Sequence, residues 1–200
     1  MKNELVTTAV ALVAAFSFAA SPALAQEHAG PKLLAEKKVA KFPAGPLFWR
    51  IDNFRTIAEA QAEAGPTALV TEAAGKIWRF TLGPPGAAAP GGSKVAEIGP
   101  LPVSKATTQY HLQVREANNT PGNRSPVHTH PGSEAFYVLS GELMVKSAHG
   151  VKRVTRGESV VGPAGGTAMQ VSNDGSTNLH MFVMFTLDAD KPFSSPSAFD

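Results

Sequence analysis

Alternation of apolar and polar residues in the second half of the chain predicts a series of short β-strands. Tyr110, Leu112 and Val114 alternate with polar residues, as expected when one face of a strand is buried. Further short apolar runs follow at close intervals, at residues 134–139, 142–146, 151–154, 159–161 and 167–172. This pattern is typical of an all-β fold, either an antiparallel barrel or a sandwich.

The last run, residues 179–187, is apolar on both faces apart from His180 and Thr186. A strand of this kind needs cover on both sides. We expect one face to line the inside of a barrel and the other to meet a second sheet or a second copy of the chain. A homodimer is therefore predicted, with residues 33–82 as the alternative cover.

The first half of the chain contains one predicted helix and one predicted hairpin. Thr56 and Glu59 have the spacing of a capping box, and Gly65-Pro66 ends the helix about two turns later. Residues 68–71 and 76–82 flank a turn that contains glycine, which is typical of a β-hairpin.

Residues 1–25 have the layout of a secretory signal peptide. Lys2 is followed by an apolar run too short to cross a bilayer, and the segment ends on the small residues around Ala25. We expect cleavage after Ala25, a periplasmic or secreted protein, and no attachment to a membrane after cleavage. Residues 26–41, rich in lysine and without clear periodicity, are expected to form a mobile arm.

The composition excludes several classes of function. The chain has no cysteine, so disulfides, thiolate nucleophiles and Cys-ligated zinc or iron–sulfur sites are ruled out. Its formal net charge is only +2, from 18 basic and 16 acidic residues. A nucleic-acid partner is therefore not expected, because such proteins carry a strong basic excess.

The clearest chemistry lies in the segment from His128 to Glu134. His128 and His130 are two residues apart, so on an extended strand both imidazoles face the same side. Pro131-Gly132 turns the chain, which lets Glu134 on the next strand return to the same point. Two imidazoles and a carboxylate are ligands that suit a divalent first-row metal ion.

The segment resembles the first motif of the cupin superfamily. That motif is Gly, five residues, His-x-His, three or four residues, Glu, six residues and Gly. It is matched by Gly122, His128, His130, Glu134 and Gly141. The resemblance covers about residues 106–187, taken as the barrel core. It implies an antiparallel β-barrel (jelly roll) with extra N-terminal strands and one short helix, as a single cupin-type domain over residues 42–190 with a C-terminal tail over residues 191–200.

The second cupin motif is incomplete, because its histidine is missing. Pro163-Ala164-Gly165 fits the start, and counting from there puts Ala168 at the histidine position. Counting one residue further puts Met169 there and brings Asn173 to the asparagine position of the motif. We prefer the second register, because it turns Met169 inward and Gln170 outward. Met169 is then either a fourth ligand or a core methionine.

The resemblance implies a metal-dependent enzyme, oxygenase-like, that acts on a small molecule. His128, His130 and Glu134 would bind Fe, Mn, Zn, Ni or Cu, with Glu134 also the candidate catalytic group. Without the fourth histidine the alternative is a non-catalytic barrel that binds a small ligand, such as a sugar or a phenolic compound. A purely structural role is a third reading. His111 and His180 are weaker candidates for a replacement ligand.

Overall fold

The computed structural model describes residues 30–103 and 107–199, which are almost entirely antiparallel β-structure. One short helix, α1, spans Ile57–Gln61. The strands in chain order are β1 (Lys32–Val39), β2 (Phe48–Phe54), β3 (Ala68–Ala73), β4 (Lys76–Gly83), β5 (Ser93–Ile98), β6 (Tyr110–Asn119), β7 (His128–Thr129), β8 (Gly132–Ser140), β9 (Glu142–Ser147), β10 (Gly150–Thr155), β11 (Ser159–Val161), β12 (Met169–Ser172), β13 (Leu179–Asp188) and β14 (Ser195–Pro196).

Two five-stranded sheets form the barrel. One has the strand order β1-β6-β13-β8-β11 and the other β10-β9-β12-β7-β14. Their inner faces share one apolar core, to which Phe136 and Val183 contribute from the first sheet and Val145 and Val171 from the second. The predicted all-β antiparallel fold is confirmed.

A third sheet, with the order β3-β4-β2-β5, covers the outer face of the first. Phe182 and Met184 of β13 belong to the apolar core shared with this sheet. The ring of Phe182 lies 5.0 Å from that of Trp78 and 5.4 Å from that of Phe80, both edge-on. The second apolar face of β13 is therefore covered by the same chain. The homodimer stays a prediction, and this strand no longer supports it.

The helix and the hairpin form where the sequence predicts them. The Thr56 hydroxyl accepts from the Glu59 amide, and the Glu59 carboxylate accepts from the Thr56 amide, so the capping box is confirmed. The helix is shorter than the predicted two turns, and the buried Arg79 side chain donates to its last carbonyl groups. In the hairpin, Ala74 and Gly75 both have positive φ, which suits the tight turn between β3 and β4.

Both ends of the described chain differ from their predictions. Residues 32–39 of the expected mobile arm form β1, which pairs with β6. Residues 195–196 of the expected tail form β14, which pairs with β7. Both are edge strands with largely exposed side chains, and such strands lack the buried alternation that marks an inner strand. The predicted signal peptide lies outside the described residues.

In the described ranges, no helix is long and apolar enough to cross a membrane.

Candidate metal site

The fold brings the three predicted ligands together at one cavity of about 300 Å³ inside the barrel. His128 lies on β7 in one sheet, and Glu134 lies near the start of β8 in the facing sheet. The Nε2 atoms of His128 and His130 are 3.1 Å apart. The Oε2 atom of Glu134 lies 3.7 Å from Nε2 of His130. The connection through Pro131 thus carries the chain from one sheet to the other across the site.

Backbone carbonyl groups fix the orientation of both histidine rings. Nδ1 of His128 lies 2.8 Å from the carbonyl oxygen of Pro126. Nδ1 of His130 lies 2.7 Å from the carbonyl oxygen of Phe193. Because a carbonyl oxygen only accepts, each Nδ1 carries the hydrogen of its neutral ring. Each Nε2 is left with a lone pair, and two lone pairs this close need a cation or a shared proton between them.

These distances fit two ligands of one metal ion. With metal–nitrogen bonds of about 2.1 Å, two neighbouring ligands at a right angle lie about 3.0 Å apart. The Glu134 oxygen is also within the roughly 4.2 Å that two ligands of one ion can span. No three His, Asp or Glu side chains in the described parts of the chain are already grouped as a metal site. The two imidazoles therefore lie at the spacing of two metal ligands, and the Glu134 oxygen, 3.7 Å from His130, would have to move closer to complete a three-ligand site.

Burial shifts the pKa values of Glu134 and His130 toward their neutral forms. Glu134 is only 3% exposed, and loss of solvent around its carboxylate raises its pKa to about 8. Loss of solvent also lowers the pKa of His130 to about 4, although its bond to the Phe193 carbonyl opposes this shift. At neutral pH the metal-free site therefore holds a protonated carboxyl group beside a neutral imidazole.

Gly162 leaves room for the carboxyl group of Glu134. A Cβ atom at position 162 would lie 2.6 Å from Cγ and 3.0 Å from Oε1 of Glu134. The Gly162 amide also donates to the backbone carbonyl of Glu134 at 3.0 Å. Any larger residue would displace the carboxyl group. The sequence contains this glycine beside the second motif, but nothing in the pattern indicates its contact.

Met169 occupies the inward position that the preferred register predicts. It is 1% exposed, and its Cα pairs with that of His128 across β12 and β7. Gln170 lies on the opposite face, where its amide donates to the Ser125 carbonyl at 2.9 Å. The register is confirmed. Met169 packs in the barrel core and is not among the residues that line the cavity, so its role as a ligand stays a prediction.

Two other histidines are paired with carboxylates away from the cavity. Nε2 of His111 lies 2.8 Å from Oε2 of Glu36. Nε2 of His180 lies 2.7 Å from Oε1 of Glu116. Neither ring lines the cavity, so the structure gives neither one the position of the missing fourth ligand.

A C-terminal strap, residues 192–197, closes one side of the site. The Phe193 carbonyl accepts from His130, and the Phe193 ring lies 4.9 Å from the rings of both His130 and Phe185. The guanidinium of Arg115 lies 4.3 Å from the centre of the Phe193 ring and also donates to the Pro31 carbonyl. The sequence analysis did not predict this strap, because a contact made by a backbone carbonyl does not depend on the type of residue.

Deleting residues 192–200 should release the ring of His130. With the Phe193 carbonyl gone, the neutral ring should change from a single Nδ1–H form to a mixture of both tautomers. Nitrogen-15 NMR of the imidazole at pH 7 measures this ratio. Deleting only residues 198–200 leaves the strap in place and should preserve the single form. An unchanged tautomer in the longer deletion would show that the strap does not orient His130.

The matches to known proteins cover the barrel. Residues 118–185 match the model of a family described as the cupin domain. The matched segment runs from the end of β6 into β13 and contains His128, His130 and Glu134. Together with the antiparallel barrel, this match supports placing the domain in the cupin superfamily. No curated protein sequence matches the chain.

Solved structures are similar over part of the chain. A putative sugar phosphate isomerase from Acidithiobacillus ferrooxidans is 28% identical, over 38% of this chain and 49% of that one, with a TM-score of 0.34. An oxalate oxidase in complex with glycolate is 27% identical, over 42% and 45%, with a TM-score of 0.36. An uncharacterized protein with a double-stranded β-helix domain from Klebsiella pneumoniae is 20% identical, over 44% and 75%, with a TM-score of 0.37. The chain thus spans about half the length of the first two.

Proposed function

We propose that this protein is a metal-dependent enzyme, oxygenase-like, that acts on a small molecule inside its cupin barrel. The observation that carries the proposal is the convergence of two Nε2 atoms, 3.1 Å apart, beside a buried carboxyl group. Both rings are held in this orientation by backbone carbonyls, as metal-binding histidines commonly are. The cupin-domain match over the same residues supports the proposal.

Each of the three side chains has a distinct task in this proposal. His128 and His130 would hold the ion through Nε2, and the carbonyls of Pro126 and Phe193 keep their rings in place. Glu134, the candidate catalytic group, would hold the ion in its ionised form, and its proton would pass to solvent as the ion binds. A divalent ion there would polarise an oxygen atom of the substrate or bind dioxygen.

The position of Met169 favours one alternative, a barrel that binds a small ligand without catalysis. Met169 pairs with His128, where the second motif would place a histidine, and it packs into the apolar core. A thioether is a soft ligand that contributes little to binding Fe, Mn, Ni or Zn. The site then holds metal weakly, and the cavity alone remains as the binding element.

A metal titration distinguishes the metal-dependent enzyme from the non-catalytic ligand-binding barrel. Protein purified without a histidine tag and stripped of metal is titrated by calorimetry with Fe(II), Mn(II), Zn(II), Ni(II) and Cu(II) in turn. The proposal expects one ion per chain for at least one of these metals. Absence of binding by all five would leave the non-catalytic barrel as the function.

We also propose that the chain is exported, since residues 1–25 carry the apolar run and small residues of a signal peptide. Intact mass spectrometry of protein recovered from its native compartment should give a chain that begins at Gln26. Recovery of the full-length chain from the cytoplasm would contradict this proposal.

A further inference from the structure

The cavity is built in layers that follow the strand register. Glu134 of β8 lies opposite Phe185 of β13, and Phe136 lies opposite Val183 one layer further. In the third layer, Met181 of β13 lies opposite Ala117 of β6. All six of these residues line the cavity. Met181 is also paired with Val138, four residues along β8 from Glu134, so the cavity extends about 13 Å along the barrel.

Only the first of these layers carries the metal-site groups. Glu134 lies there beside His130, and the next two layers present Phe136, Val183, Met181 and Ala117. The walls of the first layer are themselves partly aromatic, since the rings of Phe185 and Phe193 lie 4.9 Å apart at the side of His130. The cavity therefore has the metal-site groups at one end and mostly apolar walls along its length, with Asn119 and Ser125 as further polar lining residues. Aromatic rings form part of these walls, and such rings favour a flat aromatic guest.

The size of the cavity limits that guest. Its volume is about 300 Å³, about twice that of an apolar cavity of roughly 150 Å³ that binds benzene. We infer that the site takes a one- or two-ring aromatic molecule with a hydroxyl group. The rings lie against Phe136, Val183 and Ala117, and the hydroxyl oxygen lies at His128, His130 and Glu134. The position of the oxygen rests on the proposed metal site, whereas the apolar part rests on the cavity alone.

The test uses 2-naphthol as the probe, with oxalate and glucose 6-phosphate as polar comparators. Calorimetry on the metal-free protein should show 2-naphthol binding at least about tenfold more tightly than either comparator. Ala117→Leu fills the third layer and should weaken 2-naphthol binding about tenfold while leaving metal affinity unchanged. Ala58→Leu, an exposed position on α1, makes the same change away from the cavity and should have no effect.

A measurement on the wild-type protein covers the case in which Ala117→Leu does not fold. In methyl NMR, 2-naphthol should shift the signals of Val171, Met181 and Val183 but not that of Val151, which is 53% exposed on β10. Comparators that bind as tightly as 2-naphthol, or cavity methyl groups that do not respond, would overturn the inference. A protein that binds 2-naphthol but none of the metals would leave the inference standing and overturn the proposed enzyme.

Discussion

Replacing both His128 and His130 by alanine is expected to abolish binding of divalent metal. The change removes both Nε2 donors, and Glu134 alone, buried and protonated at neutral pH, cannot hold an ion. In the wild type, a metal concentration about 100 times the dissociation constant adds about 2.7 kcal/mol to the free energy of unfolding. A chelator should therefore lower the wild-type melting temperature by about 5–10 °C. It should leave the double variant unchanged.

The matched control removes two histidines outside the cavity. His111→Ala with His180→Ala breaks the pairs with Glu36 and Glu116 on the strand surface and touches no cavity residue. Metal affinity and chelator sensitivity should match the wild type. Metal binding by the His128/His130 double variant at wild-type affinity would refute the assignment of these ligands.

Met169→His would restore the histidine that the second cupin motif lacks in this chain. Met169→His places an imidazole opposite His128 on the neighbouring strand. A fourth ligand, the third nitrogen donor, should tighten metal binding, measured as a lower dissociation constant in the same titration. Weaker binding in a folded variant would show that Met169 is a core residue without access to the site.

Metal affinity is expected to increase about tenfold between pH 7 and pH 9. Burial raises the pKa of Glu134 to about 8, so below that pH the ion must displace a proton to gain the carboxylate. The increase should be about fivefold from pH 7 to pH 8 and less than twofold from pH 8 to pH 9, where the group is already ionised. Titration with Ni(II) buffered by a competing chelator measures this profile.

Glu134→Gln is the control for this profile, because its amide does not titrate. It should bind Ni(II) with little dependence on pH in this range and more weakly than the wild type at pH 9. In the metal-free wild type the folded-state pKa lies above the unfolded one, so the stability contributed by the neutral group is lost as pH rises through 8. The free energy of unfolding should fall by about 1 kcal/mol from pH 7 to pH 8. A wild-type affinity independent of pH would show that Glu134 does not lose a proton to the metal.

Local patterns in the sequence predicted the elements whose residues alternate between a buried and an open environment. Residues 159–161 form a strand with the predicted bounds, and the β3–β4 hairpin and the capping box of α1 appear where their turn and cap residues place them. The sequence missed β2 and β5. The alternation of β2 is broken by a register shift between Ile51 and Asp52, which are both buried, and β5 lies at a sheet edge, so neither strand shows a clean alternation.

What the sequence determined by itself is the identity of the candidate ligands and the side of the chain on which they lie. The two-residue spacing of His128 and His130 and the turn before Glu134 are local, so backbone geometry alone aims these groups at one point. Tertiary structure decided the rest. The Phe193 carbonyl that orients His130 is 63 residues away in the chain, and Gly162 contacts Glu134 from another strand connection. The burial that raises the pKa of Glu134 and the apolar length of the cavity both depend on side chains from several strands. Such packing cannot be recognised from any one segment of the sequence.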